Sequence, residues 1–325
     1  HRLHFPPQLL CSLHRVHQKQ EELWKSNVEE DIDLATEAQA LSATAMNLHW
    51  SDALLAETEE EERESSAKEL QTEPTTFADA VTGPDADRWR EAIVRELTSH
   101  AKNNTWTTVS RPTERGKRVI GCKWVFKVKR DENGNVTKYK ARLTAQGFSQ
   151  VKGVDYHQTF APTVRHATIR VFFSCVVQFG WRMTQMDVET AYLIPALSED
   201  IYMRAPMGMK HREGECVKLN KSLYGLKQAG REWNSNLHRT LTAKLGYIRS
   251  HSDPCLYLKK NNEGKMIGMI VCYVDDLLVA GENGVVNSAV TSLTDTYKMT
   301  MGEVTHFLGM KVEVNKETGT ITLTQ

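Results

Sequence analysis

The densest apolar stretch of this chain, Met269–Ala280, is broken at one place, by two adjacent aspartates in CYVDDLLVA (residues 272–280). Apolar, β-prone runs on both sides of such a break, closed by Gly281, predict a buried hairpin with Asp275 and Asp276 at its tip. A second pattern, WRMTQMDVETAYL at 181–193, alternates as a strand does and brings Asp187 to the strand's end. Glu189–Leu193 then reads as the start of a helix, with Thr190 and Ala191 in its first turn. Lys123–Arg130, the D-E-N-G turn at 131–134 and Thr137–Leu143 predict another hairpin, basic on its solvent side. Further on, SLYGLKQA (222–229) sets Gly225 between bulky residues ahead of a helix-like stretch ending near Leu245. HFLGMKV (306–312) and the residues after it read as strand, N-K-E-T-G turn, strand.

Carboxylates give this pattern a chemistry. An unpaired buried carboxylate is costly, so aspartates inside an apolar run call for exposure at a turn or for a cation. A bare Asp-Asp pair is ordinarily just a hairpin turn. The third carboxylate, Asp187, changes that reading. Strands carrying Asp187 and the Asp275–Asp276 tip, if neighbours in one sheet, would bring three hard oxygen donors together. Such a set suits divalent metals, which are held by one or two carboxylates plus substrate phosphates. Two metals about 3.5–4 Å apart would activate an attacking 3′-hydroxyl and stabilise a leaving pyrophosphate.

Around these aspartates the chain resembles the reverse transcriptases of copia-type LTR retrotransposons. The resemblance rests on WREAIVRELTSHAKNNTWTTV (89–109), VIGCKWVFKVKRDENG (119–134), YKARLTAQGFSQ (139–150), GVDYHQTFAPTVRHATIR (153–170), MDVETAYL (186–193), EDIYM (199–203), KLNKSLYGLKQA (218–229), SDPCLY (252–257), YVDDLLVAG (273–281) and HFLGMKV (306–312). These blocks keep the family's order and spacing, and they leave residues 1–86 unaccounted for. The resemblance implies an α+β fold, a right-hand polymerase of fingers and palm over 77–325, its antiparallel palm sheet backed by helices. It implies RNA-directed DNA synthesis, with an RNA template, a DNA primer, dNTPs and two Mg²⁺ or Mn²⁺ ions. By the same resemblance Asp187 and Asp275 bind both ions, Asp276 assists, and the main-chain carbonyl of Val188 completes a site.

Further roles come the same way. Lys129 and Arg142 touch the nucleotide triphosphate; a guanidinium grips phosphate in a bidentate manner. Tyr192 packs beneath the sugar and excludes a 2′-hydroxyl, at a position where copia-type sequences usually carry Phe. Tyr224 and Gly225 line the nucleotide and template site, with Lys227 or Gln228 reaching the template backbone. Tyr273 and the hairpin residues Phe307, Leu308, Gly309 and Met310 contact primer and template. Two departures stand near the site: Ile194–Leu197 reads IPAL, and Gly230 replaces the family's proline after KQA. No thumb, RNase H, integrase or protease motifs are read, so those parts of a polyprotein are expected as missing partners. An inert remnant that only folds or binds nucleic acid is the alternative to an active polymerase.

Charge supports this division once the chain is split. Lys+Arg and Asp+Glu balance at 41 each, a neutrality that taken alone speaks against a nucleic-acid binder. The first 86 residues, however, hold 18 acidic and 6 basic side chains, leaving 35 basic against 23 acidic in the rest. A basic body suits a phosphate-rich ligand. ETEEEERE (57–64) marks residues 1–76 as an acidic, poorly ordered tail or linker. His1, His4, Cys11, His14 and His17 lack the paired spacing of a zinc site. The six cysteines are widely spaced, as free core thiols in a reducing compartment would be. No stretch approaches 18 uncharged apolar residues, so no membrane partner and a soluble intracellular protein, in a cytoplasmic particle or the nucleus, are expected.

Overall fold

The computed structural model describes residues 73–114, 116–131, 133–315 and 319–324. The tail reading for 1–76 therefore lies outside the described residues up to position 72. The chain is mixed α/β and divides into two compact units. The first runs to Gln150 and adds Glu199–Asn220 and Tyr224–Leu226; the second takes Val151–Ser198, Lys221–Leu223 and the chain from Lys227. Among the described residues no helix is long and apolar enough to cross a membrane.

In the first unit, Glu73 accepts from Lys127 Nζ at 2.5 Å and from the Val128 amide at 3.0 Å. Helix α1 (Phe77–Thr82) starts with a full capping box between Thr76 and Asp79. Helix α2 (Ala86–Lys102) packs on a hairpin of β3 (Cys122–Arg130) and β4 (Val136–Ala145), after the short strands β1 (Trp106–Ser110) and β2 (Val119–Ile120). Trp89 of α2 meets Phe126 and Tyr139 edge-on at 5.2 and 4.8 Å. Alternation along β3 buries Trp124 and Phe126 and exposes Lys123, Lys127 and Lys129, the half-buried pattern that predicted this hairpin.

The second unit is built on one antiparallel sheet. In chain order it holds α3 (His166–Phe179), β5 (Arg182–Val188), α4 (Ala229–Arg239), β8 (Ile248–Arg249), β9 (Leu256–Lys260), β10 (Met266–Tyr273), β11 (Asp276–Gly281), α5 (Asn283–Thr294) and β12 (Met299–Gly302). The intervening β6 (Ala196–Met203) and β7 (Glu215–Lys221) join β1 and β2 in the order β1-β7-β6-β2. The large sheet has the order β12-β5-β11-β10-β9-β8, followed in sequence by a small sheet of β13 (His306–Phe307), β14 (Met310–Asn315) and β15 (Thr320–Thr324).

Both faces of the large sheet are covered, which explains why β10 and β11 read as continuous apolar runs and not as alternation. Leu277 and Val279 enter a core with Trp233, Leu237, Val286 and Leu293, whereas Leu278 and Ala280 enter a core with Ile169, Phe172, Phe173 and Phe307. Each buried Leu, Val, Ile or Phe among them contributes about 1.5–3 kcal/mol by leaving water. A central strand buried on two faces leaves its turn as the one place where charge is tolerated. Cys122, Cys175, Cys216, Cys255 and Cys272 are free thiols, as their spacing predicts.

Candidate active site

Register brings the three aspartates together. Strands β10 and β11 pair with Tyr273 opposite Asp276, which leaves Val274 and Asp275 as a two-residue turn. On its other edge β11 pairs antiparallel with β5, and there Asp276 stands directly opposite Asp187. Directly opposed residues of antiparallel strands have Cα atoms about 4.5–5.5 Å apart. The Asp275 carbonyl accepts the Val188 amide at 3.0 Å, so the turn is bonded to the residue that follows Asp187. Asp187 is exposed, and Asp275 and Asp276 are half-buried.

Electrostatics at the tip favour a cation. Burial raises the Asp276 carboxyl pKa and the Asp275 charge raises it further, while a 3.3 Å hydrogen bond from Gln185 Nε2 opposes both. A nearby positive charge would relieve both penalties, and hard carboxylate oxygens are the donors magnesium takes. Among the described residues no group of three His, Cys, Asp or Glu side chains forms a ready metal cage. The strand register therefore makes Asp187 and Asp276 neighbours, but the expected gathering of three carboxylates into one preformed donor set is not found; a magnesium ion held by one or two carboxylates plus substrate phosphates does not require it.

Two positions of backbone strain, Thr190 and Val274, lie close to the aspartates in sequence. Among the described residues four non-glycine positions take positive φ: Asn104 (49°), Thr190 (54°), Val274 (55°) and Leu308 (49°). For a β-branched residue such as Val274 this is a costly conformation that persists only when its surroundings over-determine it. Thr190 also corrects the expected helix start after Asp187. A left-handed residue cannot continue into an α-helix, so only a 3₁₀ turn forms at Ala191–Leu193. Tyr192, half-buried in that turn, packs on the core that contains Met186 and Trp233.

In the first unit β4 carries a row of cations. Lys138, Lys140 and Arg142 share one face by alternation, and Lys129 pairs directly with Lys138. Burial lowers the Lys140 pKa, and Arg142, Lys129 and Lys138 lower it further. Like charges crowded this closely favour an anion beside them. Arg142 lies over the Tyr224 ring, 5.0 Å from its centroid. Lys138 and Lys140 were not singled out from sequence, although the spacing K-x-K-x-R in KYKAR carries the signal.

The SLYGLKQA segment divides. Gly225 has φ +86°, and a Cβ there would stand 2.2 Å from the Ala145 carbonyl oxygen; the close approach that demands glycine is made by the protein's own backbone. Lys227 is exposed, with Nζ 5.8 Å from the Tyr156 ring centroid. Gln228 is fully buried and donates to the Asp155 carbonyl at 2.9 Å, so it does not reach a template, contrary to the sequence expectation.

The hairpin at 306–310 needs a similar correction. Phe307 and Met310 are core residues, exposed by 2% and 5%, and their side chains are not contact surfaces for primer. Leu308 and Gly309 form the turn between them, both with positive φ, the requirement of a type I′ hairpin. Tyr273 is half-buried against the same core.

Sequence reasoning also missed a cleft of about 630 Å³ in the second unit. Its lining combines cations with aromatic surface: Lys152, Arg231 and Arg249 with Tyr156, His157 and Phe160, the last 79% exposed.

Residues 103–325 match the family model described as reverse transcriptase (RNA-dependent DNA polymerase). The chain is 36% identical over 244 residues to the retrovirus-related Pol polyprotein from transposon TNT 1-94 of Nicotiana tabacum, which covers 74% of this chain and 18% of that protein. Against the Pol polyprotein from transposon RE1 of Arabidopsis thaliana identity is 34% over 247 residues, 75% of this chain and 16% of that protein. Against the truncated transposon Ty1-A Gag-Pol polyprotein of Saccharomyces cerevisiae it is 30% over 203 residues, 60% and 16%. The chain thus spans less than a fifth of the length of these relatives. A foamy viral protease-reverse transcriptase solved with double-stranded DNA matches 67% of this chain and 33% of its own at 12% identity and a TM-score of 0.34.

Proposed function

The chain belongs to the reverse transcriptase (RNA-dependent DNA polymerase) family, and on that premise we propose that it carries the nucleotidyl-transfer site of a copia-type Pol polyprotein. The observation that carries this reading is the register of Asp276 against Asp187, with Asp275 in the turn beside them. In this reading the second unit is the palm, the hairpin of β3 and β4 is the fingers, and the polymerase region runs over 77–325. Asp187 and Asp275 would hold the two metal ions, with Asp276 assisting and the Val188 carbonyl completing the donor set. Two Mg²⁺ or Mn²⁺ ions, when bound there, supply activation of the primer 3′-hydroxyl and charge neutralisation at the departing pyrophosphate.

The remaining work falls to side chains of the chain itself. Arg142 grips the dNTP phosphates in a bidentate way, with Lys129 and the Lys138–Lys140 row adding positive charge. Tyr192 presents a flat ring beneath the sugar and leaves no room for a 2′-hydroxyl. Tyr224 and Gly225 line the nucleotide site, and Tyr273 with the Leu308–Gly309 turn positions the primer end. Lys227 and the basic, aromatic cleft of Lys152, Tyr156, Phe160 and Arg231 bind the RNA template, since cations that track phosphates and rings that stack bases are what a single strand requires.

Primer extension on an RNA template tests this reading. With Mg²⁺ and dNTPs the protein adds deoxynucleotides, Asp275→Asn abolishes addition, and template binding is kept because no phosphate contact is lost. Tyr192→Ala admits ribonucleotides. Extension by Asp275→Asn at the wild-type rate would overturn the assignment. Template binding without extension by a folded wild-type protein would favour the inert-remnant reading instead.

A further inference from the structure

The turn that carries Asp275 is held by a side chain that comes from a helix remote in sequence. Trp233, on the first turns of α4, is 1% exposed and donates its indole N–H to the Val274 carbonyl at 2.6 Å. Val274 is the residue with φ +55°, and it is the only one of the two turn residues with positive φ. A hairpin ordinarily places glycine at such a position. The carbonyl of a two-residue turn also lies outside the strand ladder, so the indole supplies the partner the ladder does not. Trp233 is itself fixed. Tyr297 meets it edge-on at 5.4 Å, and the Tyr297 hydroxyl is bonded to Thr240 Oγ1 at 2.6 Å and to Asn236 Oδ1 at 2.8 Å.

We propose that Trp233 is a positioning residue for the catalytic turn: its indole N–H keeps Val274 in the left-handed conformation and thereby sets the direction of Asp275. The inference rests on the reading of Asp275 as a metal ligand. It adds a residue with no acid, base or metal-binding chemistry of its own, acting through the backbone of its neighbour. Loss of one hydrogen bond that holds a strained turn is worth about a five- to tenfold change in an equilibrium constant.

Mn²⁺ binding to the full chain, followed by electron paramagnetic resonance of the free ion, provides a test that does not depend on turnover. Trp233→Phe keeps an aromatic ring and removes the donor. Replacing Trp233 by β-(3-benzothienyl)alanine keeps the indole shape with sulfur in place of N–H, and it serves if the phenylalanine variant fails to fold. Either change is expected to weaken Mn²⁺ binding about five- to tenfold and to speed amide hydrogen exchange at Asp275 and Asp276 by a similar factor. Glycine accepts positive φ freely. In a Val274→Gly background the same Trp233 changes should therefore cost less than about twofold, a coupling that general loss of packing would not produce.

Asp275→Asn separates the two levels of the argument. If it abolishes Mn²⁺ binding while the benzothienyl protein binds like wild type, the positioning role is overturned and the metal reading stands. If Asp275→Asn leaves Mn²⁺ binding unchanged, the metal reading falls and the inference falls with it.

Discussion

Asp253 shows how a single buried charge stabilises the scaffold beneath the site. Helix α3 follows Arg165, an N-cap residue that makes no side-chain cap bond of its own. Asp253 supplies one from the segment before β9, accepting from the Arg165 amide at 3.0 Å, Thr168 Oγ1 at 2.6 Å and the Cys255 amide at 2.9 Å. Burial pushes the Asp253 carboxyl up, but these donors more than offset it, and its pKa lies below the usual 3.8. A carboxyl whose folded pKa is depressed stabilises above the unfolded value and loses that contribution as pH falls through the folded one. Asp253→Asn should cost about 1.5–3 kcal/mol at neutral pH, the range for hydrogen bonds to a charged group. Urea denaturation from pH 7 down to pH 3 should show the gap between wild type and variant narrowing below about pH 4. A gap constant with pH would mean that the charge contributes nothing.

Arg142 answers a different question at the same scale. Arg142→Ala is expected to raise the dNTP concentration needed for half-maximal extension about tenfold or more, since a charge-assisted bidentate contact is worth roughly 1.5–3 kcal/mol. Arg142→Lys keeps the charge but loses the fork and the stack on Tyr224, so it should recover only part of the affinity. Steady-state KM for dNTP, measured beside thermal stability, separates this from misfolding.

Among the elements, those legible in sequence are the ones whose burial leaves a regular pattern, a continuous apolar run where both faces are covered or alternation where one is. The Asp275–Asp276 hairpin announced itself because β10 and β11 are buried on two faces, so any charge had to be at the turn. The β3–β4 hairpin announced itself by alternation and its D-E-N-G turn. What stayed hidden depended on contacts distant in sequence. Gln228 reads as a polar residue near a helix start, and only its bond to Asp155 makes it interior. Phe307 and Met310 flank a turn and read as exposed until the core with Phe172 and Val312 closes over them. Thr190 gives no sequence signal for its left-handed backbone, which ends the expected helix before it starts. Asp253 and Trp233 act across dozens of residues and belong to no local motif.

Helix α4 offers an element-scale test of a departure from the family pattern. Gly230 lies in its first turn, and a Cβ added there would meet Ala161 Cβ at 3.4 Å, ordinary contact distance. Glycine in a helix costs about 0.5–1 kcal/mol relative to alanine, partly through the freedom of the unfolded chain. Gly230→Ala should therefore stabilise the protein by about that amount. Thermal denaturation that shows a loss instead would mean the contact with Ala161 is tighter than its distance implies.

At the scale of the whole molecule, the proposed nucleic-acid binding gives the uneven charge along the chain a testable consequence: the acidic N-terminal segment should lower the affinity of the basic remainder. The body holds 35 basic against 23 acidic residues, while residues 1–72 hold 15 acidic and 6 basic ones. Phosphate contacts of the body release counterions, so its affinity for an RNA–DNA hybrid should fall steeply with salt. A covalently attached acidic segment competes with those phosphates and lowers apparent affinity most where screening is weakest. At about 0.01 M salt the Debye length is roughly 30 Å and at 1 M roughly 3 Å. Protein lacking residues 1–72 should thus bind the hybrid several-fold more tightly than the full chain near 0.05 M salt, with the two converging above about 0.3 M. Fluorescence anisotropy of a labelled hybrid across that range reads both slopes. Parallel salt curves would show that the acidic segment does not act on the basic body, and a tighter full chain would reverse the sign of the argument.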